Sequence, residues 1–493
     1  MISEYVREQQ RYTRDKLKSL FHCSDADIIR IIKRLKEYGI LKKVKNTKEQ
    51  LDMSDLIEED IEVSDEDELP SNYLYVFTFV GIIIVEGRVL KCYPKYIFSN
   101  DAPAEELKQI IKVLQKYNSK EQIIHMYNDG GRTRTFNRLA VMVFLLNDYF
   151  ENGIYTNTQD IIETNGMGEI NWDRTINNTF AIIKNDRPYY VELQTKKRVT
   201  DDTDFIKRLH ECLLTACSKE LGESDLLELL DIAGVELSDE ELDELGDDDY
   251  LLYRIEKELN VQFNTRKQEV LKTMVALISN KATVDDVDSF SMFGTNSFNM
   301  VWEKVCAEVM DNQLHTKLID LSLPGKLKIP AASPCKPTDE LIDIIERPKW
   351  MGNKEDESSF EKEASDTLTP DLISIHNDGT DYSFVIFDAK YYTIQLEEYK
   401  PLRGQPGVSD VTKQYLYQLA YRDFVKENGI KSVKNCFLMP TEDNKVVPKG
   451  TVRMDMLGAL QLEKIQVRQL PAKHIFTYYL ATKKMKIDDL GLK

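Results

Sequence analysis

The sequence predicts an α/β protein whose central sheet lies in the C-terminal part of the chain, and three observations carry that expectation. Leu372 to Ile375 and Tyr382 to Ala389 are runs rich in β-branched and aromatic residues, separated by the polar cluster Asn377-Asp378-Gly379-Thr380-Asp381, which reads as a hairpin turn. Upstream, Phe298, Val301, Trp302, Val305 and Val309 recur at helical spacing; downstream, Asp410 opens a second helical stretch that continues through Tyr421. Lys434 to Pro440 then reads as a third core strand, giving the order helix, strand, strand, helix, strand.

The two-strand element also places chemistry. Side chains alternate along a strand, so Asp388 and Lys390 share one face while Ala389 points away, and the turn brings Asp371 towards them. Hydrolysis of a phosphodiester builds negative charge on the phosphoryl oxygens and needs an activated water. A Mg²⁺ held by carboxylate oxygens assists both. A neighbouring lysine orients or deprotonates the water and neutralises the transition state. Pro370-Asp371, sixteen residues, then Asp388-Ala389-Lys390 resembles the PD-(D/E)xK nuclease signature.

An acid-x-lysine triplet by itself is common: Glu398-Tyr399-Lys400 and Asp443-Asn444-Lys445 repeat it. Asp371, however, is the one aspartate in the chain preceded by proline, and Asp388 closes a hydrophobic strand, whereas Asp443 sits in a polar turn. Glu303 borders the apolar stripe of its helix and is either a third metal ligand or a solvated acid. Gln414 and Gln418 lie one helical turn apart, either as contacts to the DNA backbone or as an ordinary polar face.

The length suits about three domains. Seven scattered cysteines, without a Cys-x-x-Cys pair, argue against zinc and against a disulfide framework, and fit a reducing cytoplasm. No signal peptide opens the chain and no apolar run is long enough for a membrane span. The net charge of −19 is segregated: residues 47–69 hold eleven acids and one lysine, and 221–250 hold thirteen acids and no base. Together those stretches carry −23, leaving about +4 elsewhere, so basic surface remains for phosphates. The acidic stretches read as solvated linker or helix face.

In chain order, residues 1–46 form a winged-helix-like segment. Leu17 to Phe21 is one helical piece, Ser24 caps the next, Ile28, Ile29, Ile31, Ile32 and Leu35 give the second its buried face, and the chain leaves through Gly39 into a strand. Arg30, Lys33, Arg34 and Lys36 stand on the outer face as candidate DNA contacts, although such segments also serve as protein-binding modules. Residues 47–70 read as an acidic linker. Residues 71–150 form a β-rich then helical scaffold domain, in which Gly81 and Gly87 permit tight geometry and Tyr93-Pro94-Lys95-Tyr96 ends the β-rich run. Residues 151–290 read as a mixed α+β but mostly helical middle region with the acidic segment, and 291–493 as the nuclease domain. Gly166-Met167-Gly168-Glu169 lacks a following Gly-Lys-Ser/Thr, so no nucleotide is expected on this chain; Glu169 is a rival for the third carboxylate.

Five runs in order resemble the LlaJI family of restriction endonucleases, which is related to the McrC subunits of McrBC-type systems. They are Val80-Gly-Ile-Ile with Tyr93-Pro-Lys-Tyr-Ile97, Gly168-Glu-Ile-Asn-Trp-Asp-Arg-Thr-Ile176, Phe298-Asn-Met-Val-Trp-Glu303, Thr369-Pro-Asp371 and Phe387-Asp-Ala-Lys-Tyr-Tyr392. The resemblance implies a Mg²⁺-dependent endonuclease on foreign double-stranded DNA, with Asp371 and Asp388 on the metal, Glu303 favoured over Glu169 as the further acid, and Lys390 on the nucleophile. It places Trp302 in the core. It also implies a separate McrB-like AAA+ NTPase that binds GTP or ATP, a cognate DNA methyltransferase, and a homodimer pairing two sites to cut two strands. A repair or recombination nuclease of the same fold, and a non-catalytic winged-helix DNA-binding regulator, are the competing readings.

Overall fold

The computed structural model describes residues 2–45, 73–118, 127–128, 135–200, 204–223, 225–280, 290–331, 333–354 and 358–493; the acidic stretch 47–70 lies outside them. The chain is a mixed α/β protein with two compact units that do not follow sequence order. One is built mainly on Arg134–Met292, the other on Ile2–Ile123 together with Phe293–Lys493. The N-terminal segment thus belongs to the same unit as the C-terminal sheet. Among the described residues no helix is long and apolar enough to cross a membrane.

In the second unit, strand β1 (Ile2–Arg7) leads into helix α1 (Asp25–Glu37), which Ser24 and Asp27 open with a reciprocal capping box. Ile28, Ile31, Ile32 and Leu35 are buried, as the helical period requires, but Ile29 is 56% exposed. The placing of Ile29 in the buried face is corrected: it falls one step round the helix from the i, i+3, i+4, i+7 stripe and faces out. The segment continues through Leu41–Lys45, which pairs antiparallel with Tyr73–Phe77.

Strands β2 (Val80–Val85) and β3 (Arg88–Tyr93) form an antiparallel pair, and β1 joins β3 in parallel, so that Arg7 faces Tyr93. Gly81 has φ +141°, and a Cβ there would lie 2.2 Å from the carbonyl oxygen of Phe293, so only glycine permits this approach of the two backbones.

The C-terminal sheet has five strands. Helix α2 (Phe298–Val309) precedes β4 (Leu372–Asn377) and β5 (Tyr382–Ala389), which pair antiparallel with Leu372 opposite Phe387. Helix α3 (Val408–Glu427) crosses to β6 (Ser432–Thr441), parallel to β5; β7 (Val447–Val452) and β8 (Ile465–Pro471) complete the order β4-β5-β6-β8-β7. The residues Ile373, Ile375, Phe384 and Ile386 meet Tyr417, Tyr421 and Phe424 of α3 in one core cluster. Trp302 is fully buried, and its indole N–H donates to the carbonyl of Leu438 on β6 (3.1 Å), so the apolar stripe of α2 is seated on the sheet.

The first unit contains helices Arg138–Asn152, Phe205–Glu223, Asp248–Leu259 and Thr265–Ser279, tied by charged pairs such as Arg266 to Asp148 (2.6 Å) and Arg138 to Glu220 (2.7 Å). Over 151–290 helices predominate among the described residues, and the strands before Phe290 are confined to 158–200. Thr158–Thr164 pairs antiparallel with Gln194–Thr200, and Ala181–Lys184 forms a hairpin with Arg187–Tyr190. The β-branched alternation in these runs outweighs the helical background on either side. The acidic segment is folded: Leu226, Leu229, Leu230 and Leu245 are buried, and Glu240 pairs with Arg208.

Candidate active site

The Leu372–Phe387 register places Asp371 beside the end of β5, where its Oδ2 accepts from the backbone N–H of Ala389 (2.9 Å). Asp388 is buried on the same strand end, on the α3 side that Phe384 and Ile386 share by period-two alternation. The Lys390 backbone N–H donates to Leu438 of β6 (2.9 Å), which extends the β5–β6 ladder by one residue and fixes the lysine where the sheet ends. Its ammonium lies 2.9 Å from Asp388 Oδ1 and 3.2 Å from Asp410 Oδ1. The Asp388 contact is an ion pair without hydrogen-bond alignment, so this buried oxygen has no hydrogen-bonded donor among the described residues.

Asp410 is the residue that sequence reasoning missed. An acid in the first turn of a helix is ordinarily read as a cap or a dipole partner, and its Oδ2 does accept from the N–H of Gly407 (3.0 Å). The other oxygen reaches the lysine, so Lys390 is held between two carboxylates.

The electrostatics follow from burial and crowding. Burial pushes the Asp371 carboxyl up to about 8, and the nearby Asp388 carboxylate pushes the same way. Burial acts to lower Lys390, but the charges of Asp388, Asp371 and Asp410 outweigh it and hold the ammonium above its ordinary value. Half-buried Glu303 on α2 is also raised: burial is the larger cause, Asp388 adds to it and Lys390 opposes it. Glu303, Asp371, Asp388 and Lys390, all named from sequence, therefore share one electrostatic neighbourhood.

Among the described residues no three acidic, imidazole or thiol side chains are already gathered as a metal cage. The pair Asp371 and Asp388 nevertheless fits a hard cation. It offers carboxylate oxygens, one of them without a hydrogen-bonded donor, and Mg²⁺ is commonly bound through one or two carboxylates with waters filling the remaining positions. Because Lys390 lies against Asp388 Oδ1, that oxygen is shared between ammonium and any cation.

The other expected site residues fall differently. Gln414 is fully buried, and neither its Oε1 nor its Nε2 has a hydrogen-bond partner among the described residues. Gln418 donates through Nε2 to the carbonyl of Glu463 (3.0 Å) and accepts from the Glu463 N–H (2.9 Å). The expectation that both contact the DNA backbone is corrected: α3 packs both positions against the sheet, and neither presents its amide at the surface. Arg30 stays exposed, and its guanidinium forks onto Glu86 (2.7 Å from Nε and from Nη2) and reaches Asp27 (3.1 Å), so it would meet DNA as a paired rather than a free cation. Lys33 is exposed, Arg34 is partly buried. Glu169 stands exposed in the first unit, paired across strands with Lys196, whereas the other acids belong to the second.

The chain matches the family described as LlaJI restriction endonuclease over residues 79–326 and 337–476. It is 26% identical over 426 residues to the type II restriction enzyme BsuMI component YdjA of Bacillus subtilis (strain 168), covering 84% of this chain and 83% of that protein. Among solved structures it is similar to a chain of the half-complex from a tetradecameric assembly of Thermococcus gammatolerans McrB AAA+ hexamers with bound McrC. There the identity is 14% and the TM-score 0.36, with 97% of this chain and 99% of that one covered. For the McrBC complex of the same organism the values are 12% identity and a TM-score of 0.23, over 61% and 85% of the two chains.

Proposed function

Because the chain belongs to the LlaJI restriction endonuclease family, we propose that this restriction-system nuclease subunit cuts both strands of foreign DNA through a Mg²⁺-dependent PD-(D/E)xK core over residues 291–493. The observation that carries the reading is the meeting of Asp371, Asp388 and Lys390 at the end of one strand pair, with the lysine 2.9 Å from Asp388. Asp371 and Asp388 hold the cation and Glu303 completes or orients the site. Bound there, Mg²⁺ supplies a Lewis acid for the phosphoryl oxygens and lowers the pKa of the attacking water. Lys390, held protonated by its carboxylate neighbours, acts as a cation that orients the nucleophile and offsets the charge developing on the phosphate.

The N-terminal segment serves as the winged-helix-like DNA module, with Arg30 and Lys33 as exposed bases on α1. Two copies pair two sites for the two strands, a methyltransferase protects host DNA, and the system works in the cytoplasm. Titration calorimetry with Mg²⁺ or Mn²⁺ tests the site: the wild type binds the cation, and Asp388→Asn weakens binding at least about tenfold. Equal affinity in both proteins removes the assignment.

The AAA+ partner is assigned to the first unit. There Met167, Trp172, Phe180, Ile183 and Val191 are exposed, Met167 at 100% and Phe180 at 98%, and an exposed apolar stretch of this kind marks an association surface. The double substitution Phe180→Asp with Ile183→Asp is expected to abolish co-elution with the NTPase on size exclusion while leaving thermal unfolding unchanged, since neither side chain contributes to a core. Unchanged co-elution places the partner elsewhere.

A further inference from the structure

Two runs that carry the family resemblance, Tyr93 to Ile97 and Phe387 to Tyr392, lie far apart in sequence and meet in space. Their meeting point is the residue directly after Lys390. The hydroxyl of Tyr391 donates to Glu8 Oε2 at 2.5 Å. The same carboxylate oxygen accepts from the backbone N–H of Lys95 (3.3 Å), and the Glu8 N–H donates to the carbonyl of Tyr93 (2.9 Å). The Lys95 ammonium sits 4.6 Å from the centre of the Tyr391 ring and 5.6 Å from that of Tyr392. Tyr96 meets the Tyr391 ring edge-on at 6.3 Å, and Phe298 of α2 packs on it at 5.2 Å. Glu8, Lys95 and Tyr391 are all buried.

An acidic and a basic side chain are thus withdrawn from water beside a tyrosine, a costly arrangement unless each is paired, and the pairing found here converges on one backbone position. That position needs holding. The strand ladder ends at the Lys390 N–H, and the next backbone bond, Tyr392 N–H to the Lys390 carbonyl (2.9 Å), is a local turn. Beyond it, the Tyr391 side chain anchors the chain on the far side of the lysine, as Asp371 does at Ala389 before it, and so helps set where the lysine stem begins. Burial, reinforced by the charge of Glu8, keeps the Tyr391 phenol well above its ordinary pKa, so it remains a donor.

We propose that Glu8 is a positioning residue of the nuclease site: acting through Tyr391, with Lys95 as its support, it fixes Lys390 and thereby makes the N-terminal strand β1 part of the catalytic apparatus. This rests on the nuclease reading given above. It also gives the N-terminal segment a route to the chemistry, because any displacement of the chain at Glu8 is transmitted to Tyr391 across a single hydrogen bond.

The test uses full-length protein with its NTPase partner, and the variants Tyr391→Phe, Glu8→Ala, Glu8→Gln and Tyr391→Phe/Glu8→Ala. Tyr391→Phe preserves the ring packing and removes one hydroxyl. The expected result is a fall of about tenfold in the single-turnover cleavage rate for Tyr391→Phe and Glu8→Ala, with KM for DNA unchanged. Glu8→Gln, which still offers an oxygen to the phenol, retains most of the rate, and the double variant is no slower than the slower single one, because both act through one contact. Amide hydrogen exchange over 389–392 is followed in the same proteins without DNA. It accelerates in Tyr391→Phe and Glu8→Ala relative to the core of β5 and β6. Unchanged exchange over 389–392 overturns the proposal whatever the cleavage rates, as does a rate loss that follows global unfolding or DNA affinity. A wild type that binds DNA but never cuts overturns the nuclease reading instead, and the exchange result then still decides whether Glu8 holds this segment.

Discussion

Replacing Lys390 with alanine is expected to lower the rate of DNA cleavage by about 10²- to 10⁴-fold, the range for loss of a positioned proton-transfer or charge-stabilising group. The geometry gives the reason. The ammonium is 2.9 Å from Asp388 and 3.2 Å from Asp410, in a buried neighbourhood that also contains Asp371 and Glu303. Its positive charge is the one in direct contact with Asp388 and Asp410 in the described site. Lys390→Arg is not a rescue: the planar fork differs in shape from the compact ammonium seated between two carboxylates. DNA binding should change far less than the rate, because a single phosphate contact is a small part of a DNA interface. A quenched-flow comparison of rate with a parallel measurement of DNA affinity checks this, and an equal loss of both would contradict it.

Asp371→Asn carries a double expectation: cleavage falls on the same scale as for Lys390→Ala, while the metal-free protein becomes more stable. Burial and the nearby Asp388 raise the Asp371 carboxyl to about 8. A group raised in the folded state binds its proton more tightly there than in the unfolded chain, where an aspartate titrates near pH ~4. Its stabilising contribution is therefore complete below about pH 4 and is lost as the pH rises through about 8. The wild type in EDTA should lose stability across that window, and Asp371→Asn, which has no proton to lose, should show a shallower decline. At pH 8 the variant should be more stable by about 1–2 kcal/mol, the size commonly gained from one stabilising substitution. Thermal unfolding in EDTA at several pH values measures it; a variant that melts below the wild type at pH 8 contradicts the account. Adding Mg²⁺ should narrow the gap, since only the wild type keeps both carboxylates.

Three strands of the C-terminal sheet, β4, β5 and β6, are legible in the sequence because their signals are local, whereas β7 and β8 are not read from it. The Asn377–Asp381 turn, the apolar runs on either side and the stripe from Phe298 to Val309 each correspond to an observed element, and strand alternation alone is enough to put Lys390 beside Asp388. Trp302 sits in the core as the stripe implies. Sequence reasoning fails where a residue's fate depends on distant chain. Arg30 looks unpaired because its partner Glu86 lies 56 residues away, in the turn between β2 and β3. Gln414 and Gln418 look like a polar face because polarity in a helix usually means solvent; in α3 the helix is covered by the sheet and by the Glu463 segment. Asp410 looks like an ordinary cap, and Glu8 gives no signal at all: its role depends on Tyr391, 383 residues away, and only the folded unit brings them together. The strands within 158–200 are obscured by the strongly helical sequence that follows them.

The central claim is that Asp371, Asp388 and Lys390 form a metal-dependent phosphodiesterase site, and plasmid cleavage tests it most directly. Wild type and Lys390→Ala are assayed in Mg²⁺ and in EDTA, with and without the NTPase partner and GTP or ATP, on methylated and unmethylated DNA. The account predicts double-strand cleavage by the wild type in Mg²⁺, none in EDTA, and none by Lys390→Ala on the same timescale. Cleavage that persists in EDTA, or equal activity of the two proteins under every condition, would contradict it.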